Sequence, residues 1–283
     1  VGLLKNIGGS FVKQSLPELD ASLGLWFAAA ETDVNGDGVK DYVIGNIGSN
    51  IKYKASKKKP FKVFANDFDG NGTFDLVLSN EYNGNYVPAR GKECSTQQMP
   101  FISEKFTTYS DFANATLQDI YGEGLNNAYA KEVNTFSSLL LIGKKEGGFT
   151  TATLPALAQT GPGLAIEVLD INKDGYEDLI IAGAIYETEV ETPRYDAGVG
   201  VILISNKKDG YNALSTAETL LFLDGNVKDI QTIAHKGLSK NILISRYYPF
   251  RSFQTFLPNP ECLQEHSLYL LFQNKYNKKG LIE

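Results

Sequence analysis

Residues Leu164–Gly183 read LAIEVLDINKDGYEDLIIAG: an apolar run, a nine-residue acidic loop and a second apolar run. The same arrangement recurs at Trp26–Asn46 and Phe61–Asn80. The three loops are Asp33-Val-Asn35-Gly-Asp37-Gly-Val39-Lys-Asp41, Asp67-Phe-Asp69-Gly-Asn71-Gly-Thr73-Phe-Asp75 and Asp170-Ile-Asn172-Lys-Asp174-Gly-Tyr176-Glu-Asp178. Each has Asp or Asn at positions 1, 3 and 5, Gly at 6 and Asp at 9. Alternate residues of a tightly coiled loop can aim their oxygens at one centre, and glycine permits the sharp turn. Calcium takes six to eight oxygens at about 2.3–2.6 Å. We therefore expect three calcium sites, each using side-chain oxygens at positions 1, 3, 5 and 9 and the backbone carbonyl at 7 (Val39, Thr73 or Tyr176). An ordinary Asp/Asn/Gly turn would account for one such loop. Three copies sharing five positions cluster carboxylates that repel one another without a cation. Magnesium, with its strict octahedral demand, suits these loops less.

The opening of this pattern also begins an EF-hand loop, which needs a bidentate Glu at position 12 and flanking helices. Position 12 here is Ile44, Leu78 and Ile181, and the flanks FKVFAN, DLVLS, LAIEVL and DLIIAG are strand-like. An EF-hand is excluded. A second repeat, a hairpin with a glycine-aromatic turn, reads LLKNIGGSF at Leu3–Phe11, LLLIGKKEGGF at Leu139–Phe149 and VILISNKKDGY at Val201–Tyr211. The interval from Asp67 to Asp170 is close to three times that from Asp33 to Asp67. Short antiparallel strands at a repeating period predict an all-β fold, a β-propeller of four-stranded blades, over residues 1–246. Between Pro100 and Tyr129 the positions Phe112, Ala115, Ile120 and Tyr121 approximate helical spacing, with Ser110 placed as N-cap. This predicts one helical insertion projecting from the sheets. Residues 247–283 lack both repeats and read as an atypical tail.

Repeats of about 40–50 residues leave room for roughly four blades. Val1–Phe11 reads as the outer hairpin of a blade whose acidic loop would lie upstream. The expectation is a partial or small ring, with self-association as one way to cover its open ends.

The chain has 283 residues, 42% hydrophobic and 21% charged, with 27 glycines and a net charge of −6. That charge offers no general attraction for nucleic acid or an anionic membrane. Lys57-Lys58-Lys59 reads as a solvated loop, and no apolar run is long enough to span a bilayer. Two cysteines, Cys94 and Cys262, make no disulfide framework, and a single bridge between them stays open. The stretch Asp224-Gly-Asn226-Val-Lys228-Asp229 has Lys at position 5 and no Gly at 6, and reads as a plain turn.

The acidic loops with their apolar flanks resemble the FG-GAP/VCBS repeats of integrin-like propellers. GNIGSN after the first loop, RGKECSTQQMPF at Arg90–Phe101, the helical stretch ending QDIYG and ETPRYDAGVGVIL at Glu191–Leu203 bring the chain nearer one group. They are similar to bacterial VCBS-repeat proteins of the cartilage acidic protein group, which often carry an ASPIC/UnbV module; no such module is seen here. The resemblance covers Leu3 to Arg246. It implies a calcium-dependent propeller that is secreted, periplasmic or on the cell surface, and it carries no established catalytic residues.

His235 and His266 are expected to be structural. No G-x-S-x-G elbow, Walker A loop or H-E-x-x-H occurs. Cys94 has no histidine near it in sequence and reads as structural. Glu187, Glu189, Glu191 and Asp196 could pair as glycosidase carboxylates, though alternating acids in a loop are more often solvated. Arg194 and Tyr195 suit contact with a ligand on a propeller face. The leading expectation is a calcium-stabilised binding module for a protein or glycan and not an enzyme. A carbohydrate-active lyase or hydrolase on a calcium-bearing propeller, and a structural segment of a larger surface protein, are the alternatives.

Overall fold

The structure, a computed structural model, describes residues 1–189, 191–223, 225–234, 241–247, 253–257 and 269–271. Its first ten strands are β1 (Leu3–Ile7), β2 (Ser10–Gln14), β3 (Ala28–Thr32), β4 (Asp41–Gly45), β5 (Phe61–Asn66), β6 (Asp75–Tyr82), β7 (Asn85–Pro88), β8 (Tyr129–Val133), β9 (Leu139–Gly143) and β10 (Phe149–Thr153). Eight more follow: β11 (Ala165–Leu169), β12 (Asp178–Ala182), β13 (Val201–Ser205), β14 (Tyr211–Leu214), β15 (Val227–Ala234), β16 (Asn241–Tyr247), β17 (Phe253–Leu257) and β18 (Tyr269–Leu271). They form one two-stranded and four four-stranded sheets, and every strand pairing is antiparallel. The fold is mostly β, as expected. All three acidic loops join paired strands, and all three glycine-aromatic hairpins form: β1–β2, β9–β10 and β13–β14.

The chain divides into two compact units. One comprises residues 1–25, 51–136 and 189–193; the other comprises 26–50, 137–188 and 194–283. In the second unit the sheet β11-β12-β13-β14 follows chain order, as does β15-β16-β17-β18. The sheet β3-β4-β9-β10 is also a four-stranded meander, but residues 46–138 are inserted between its second and third strands. The acidic loop at Asp67 lies inside that insertion, so the three loops are not three successive repeats. Two strands, β17 and β18, lie beyond the expected boundary at 246, in the stretch that reads as atypical.

Strand β12 is buried on both faces, which is why it reads as an unbroken apolar run. Ile180 and Ala182 join one core with Ile202, Leu223 and Val227, while Leu179 and Ile181 join another with Val43, Leu140 and Leu203. The first strands lie side by side, β11 between β3 and β15.

Where the chain leaves β4 and returns to β9, a buried polar cluster fixes the stem. The Asn46 N–H donates to Ser138 Oγ at 3.0 Å, and the Ser138 N–H donates to Gln159 Oε1 at 2.8 Å. Gln159 Nε2 donates to the carbonyls of Ser138 and Leu154. Asn46, Ser138 and Gln159 are all buried, so each hydrogen bond stands where water cannot replace it.

The first unit holds the sheet β7-β6-β5-β8. Its helices are α1 (Pro17–Asp20), α2 (Lys92–Gln98), α3 (Phe101–Lys105), α4 (Tyr109–Ala113), α5 (Leu117–Tyr121) and α6 (Glu123–Asn126). The helical segment therefore starts at Lys92, earlier than the apolar spacing indicates, and β8 begins at Tyr129. It does not project from the sheet. Met99, Ile102, Phe112, Ala115, Leu117, Ile120 and Tyr121 form one core with Val77 of β6. Nor is Ser110 the N-cap: the Thr108 side chain caps α4 and Thr116 caps α5, because the stretch folds as several short helices, each needing its own cap. Lys57 to Lys59 form an exposed bend, as expected.

Among the described residues no helix is long and apolar enough to cross a membrane. His235, Asp224, Cys262 and His266 lie outside the described residues.

Strand β4 ends where it nearly touches the backbone ahead of β11: a Cβ on Gly45 would stand 2.0 Å from the Gly163 carbonyl oxygen. Gly45→Ala must push two backbones apart and is expected to cost about 1–3 kcal/mol in urea unfolding. Gly2→Ala, with nothing within 4 Å of the new carbon, serves as the neutral control.

Candidate metal centres

Position 9 opens the second strand of each acidic hairpin, since β4 begins at Asp41, β6 at Asp75 and β12 at Asp178. Its carboxylate is buried in every case, at 1%, 3% and 0% exposure. One oxygen accepts the N–H of position 2: Val34 N to Asp41 Oδ2 at 2.9 Å, Phe68 N to Asp75 Oδ2 at 3.1 Å, Ile171 N to Asp178 Oδ2 at 2.9 Å. In two loops the other oxygen accepts an N–H at the end of the third strand, from Gly143 at 2.8 Å to Asp41 and from Ser205 at 2.9 Å to Asp178.

In the Asp67 loop the third strand, β7, ends at Pro88 before reaching that place. Gln98 Nε2 of α2 donates to Asp75 Oδ1 instead, at 3.3 Å. Arg90 Nη1 holds the Gln98 oxygen at 2.9 Å, and Arg90 Nε pairs with Glu189 at 2.6 Å.

The outer positions repeat as closely. The N–H of position 5 donates to the position 1 and position 3 side chains: Asp37 to Asp33 and Asn35, Asn71 to Asp67 and Asp69, Asp174 to Asp170 and Asn172, all at 2.9–3.1 Å. The N–H of Gly38, Gly72 or Gly175 donates to the second oxygen of position 1, each at 2.9 Å. Val39, Thr73 and Tyr176 at position 7 donate to the side chain of position 5, at 2.8, 2.8 and 3.0 Å. These bonds gather the expected side chains of each loop around its own turn.

Glycine at position 6 has φ of +77°, +87° and +87°. Position 4 is left-handed too, with Gly36, Gly70 and, at φ +58°, Lys173, which lacks glycine's ease there. The sequence pattern also leaves unremarked the apolar residue at position 2. Val34 and Ile171 are buried, and Phe68 packs against Tyr121.

Among the described residues, one set of three acids brings its ligand oxygens within 4.8 Å of one another: Asp67, Asp69 and Asp75. That span is about twice a calcium–oxygen distance, so oxygens on opposite sides of one ion would fit it. An all-oxygen set with several carboxylates is the donor chemistry of a hard divalent cation. The other two loops carry neutral Asn35 or Asn172 at position 3, so their acids stand at 1, 5 and 9. In the Asp170 loop, Lys207 Nζ lies 2.9 Å from Asp174 Oδ2. Burial works to raise the Asp174 carboxyl; the Lys207 ammonium, the Tyr176 N–H and the Asn172 amide outweigh it and hold it below the usual range. The Asp33 and Asp170 loops adjoin in one unit, where the Asp33 N–H donates to Glu177 Oε2 at 2.7 Å.

Of the other carboxylates singled out in the sequence, Glu187, Glu189 and Glu191 are engaged. Glu189 pairs with Arg90 and, at 3.9 Å, with Lys52, and accepts from Thr192 Oγ1 at 2.7 Å. Glu191 accepts the Gly91 N–H, and Glu187 accepts from Asn226 Nδ2 at 2.9 Å. Arg194 stacks over the Tyr186 ring at 4.7 Å, and the Tyr195 backbone exchanges two 3.0 Å hydrogen bonds with Ile185. Burial pushes the Cys94 thiol above its usual range, aided by Glu191, which opposes the thiolate a nucleophile needs. Comparison of the chain with protein-family models and with curated proteins gives no match.

Two predictions follow from the position 9 carboxylate. Asp178→Ala strands the buried donors of Ile171 and Ser205, each costing about 1–3 kcal/mol. Without calcium it should therefore lose far more urea stability than Asp170→Ala, whose oxygens face an exposed turn. The second concerns pH. Burial raises the Asp41 and Asp178 carboxyls, their backbone donors only partly offsetting it, and neighbouring acids add to the rise. Both bind protons more tightly folded than unfolded. Without a cation their stabilising contribution is complete below the unfolded pKa and is lost as pH rises through the folded one. A bound cation requires them ionised, so the calcium-induced rise in melting temperature should shrink over that same window, starting above the ordinary aspartate range. Melting curves with and without calcium from pH 7 to 4 check this.

Proposed function

We propose that this chain is a calcium-stabilised β-propeller module of the FG-GAP/VCBS kind, working outside the cytoplasm as a binding surface for a protein or glycan. The observation that carries the reading is the repetition of one hydrogen-bond set in three loops, with the Asp67, Asp69 and Asp75 oxygens gathered at calcium spacing. Side-chain oxygens of Asp33, Asn35, Asp37 and Asp41, of Asp67, Asp69, Asn71 and Asp75, and of Asp170, Asn172, Asp174 and Asp178 would hold the three ions. The carbonyls of Val39, Thr73 and Tyr176 would add one ligand each. Calcium supplies positive charge at the outer end of each hairpin, letting the carboxylates stay ionised side by side.

Support for propeller geometry comes from the three meanders of one unit, whose first strands β3, β11 and β15 are neighbours. Support for a binding role over turnover comes from Glu187, Glu189 and Glu191, which are spent on hydrogen bonds and ion pairs, and from the loop acids, which hold their own turns. The exposed Arg194 and half-buried Tyr195 beside Tyr186 are the residues we assign to partner contact. Millimolar calcium suits an extracellular module, whose sites typically bind in the range of about 10⁻⁴–10⁻³ M.

Thermal melting tests this. Excess calcium should raise the melting temperature over that in chelator, because the ion binds the native loops alone. An unchanged melting temperature at millimolar calcium would sink the reading.

A further inference from the structure

The hairpin β1–β2 makes the two-stranded sheet of this structure, and an isolated two-stranded hairpin is marginal in water. Its counterparts β9–β10 and β13–β14 are the third and fourth strands of complete meanders. Register makes the correspondence residue by residue. Asn6 faces Phe11 as Gly143 faces Phe149 and Ser205 faces Tyr211. Two residues earlier stand Leu4, Leu141 and Leu203. Leu141 and Leu203 are 2% and 0% exposed, while Leu4 is 59% exposed; Tyr211 is 6% exposed and Phe11 71%. The leucine that is core in both complete meanders is bare here, and the aromatic, buried as Tyr211 and half-buried as Phe149, is bare as Phe11.

The edge of β1 is equally bare. Across the two-residue Gly8-Gly9 turn, Ile7 and Ser10 close the hairpin as a hydrogen-bonded pair, and such pairs alternate. The N–H groups of Asn6 and Leu4 therefore point away from β2. In the complete meanders the matching N–H groups of Gly143 and Ser205 donate to a position 9 aspartate. Of the two lysines on this hairpin, Lys13 pairs with Asp20 at 3.1 Å, and Lys5 on β1 carries the positive charge that favours an acidic loop nearby.

We propose that the free edge of β1 is a docking edge for an acidic-loop β-hairpin of the β11–β12 pattern, whose position 9 aspartate accepts the Asn6 N–H. The proposal rests on the repeat reading above but not on calcium occupancy. Strand pairing at Leu4 and Asn6 and burial of Leu4 and Phe11 would complete a third meander with an acidic loop and a glycine-aromatic hairpin.

To test it, a copy of residues 164–183 is joined ahead of Val1 through a short Gly/Ser linker, and amide hydrogen exchange is measured with calcium and with chelator. The Leu4 and Asn6 amides should slow by at least about tenfold relative to the unextended chain. Asn6→Pro in the extended chain, which removes the donor at an edge that tolerates proline, should abolish the slowing at Leu4. An aspartate-to-alanine change at position 9 of the added copy should reduce it. Unchanged exchange at both amides overturns the proposal. So does protection in the unextended chain that grows with protein concentration, which would give the edge to a second copy. Slowing in chelator, with no calcium effect on melting, would uphold the docking edge while removing the calcium reading.

Discussion

Everything in the acidic hairpins hangs on one buried carboxylate. The aspartate at position 9 begins a strand, yet its oxygens reach backward to the N–H of position 2 and, in two loops, sideways to the third strand. A single side chain thus closes the loop and ties three strands together. Burying a carboxylate is expensive, and the donors aimed at Asp41 and Asp178 offset only part of that, so both carboxyls titrate high. A cation at positions 1 to 9 would remove the remainder of the penalty. Such a charge would link the strand architecture to a metal, because burial disfavours the ionised form of Asp41 and Asp178, the residues that organise their sheets.

A second constraint explains how the first sheet survives a long interruption. β4 and β9 pair with Tyr42 opposite Leu141, although 46–138 intervenes. Closing so long a loop costs entropy that grows only slowly with length. What the stem requires is a fixed exit and return, and Asn46, Ser138 and Gln159 supply it by satisfying one another in a buried site. Gly45 and Gly163 let the backbones approach closely beside them. Within the insertion, Arg90 and Gln98 do for Asp75 what a third-strand amide does for its counterparts.

Local features were legible in the sequence and long-range ones were not. The loops, the hairpin turns and the strand starting at position 9 rest on spacing within a few residues. So do the buried helical positions Phe112, Ala115, Ile120 and Tyr121. The nesting of the Asp67 loop within the first meander depends on β4 pairing with β9, for which no local pattern exists. Gln98 as partner of Asp75 and Lys207 as partner of Asp174 come from other elements and leave no mark in the loops. The repeated apolar residue at position 2 (Val34, Phe68, Ile171) and the left-handed position 4 were visible as patterns. They carry no ligand chemistry, so a reading aimed at metal passes over them. The strands β17 and β18 arise from sequence without the turn and loop signals that mark the other meanders.

Counting bound ions tests the account most directly. Equilibrium dialysis of the full chain against radioactive calcium at millimolar concentration should give about three ions per chain. Asp67→Ala should remove one and leave the other two. No calcium bound at that concentration, or a bound ion indifferent to loss of Asp67, Asp33 and Asp170 in turn, would contradict it.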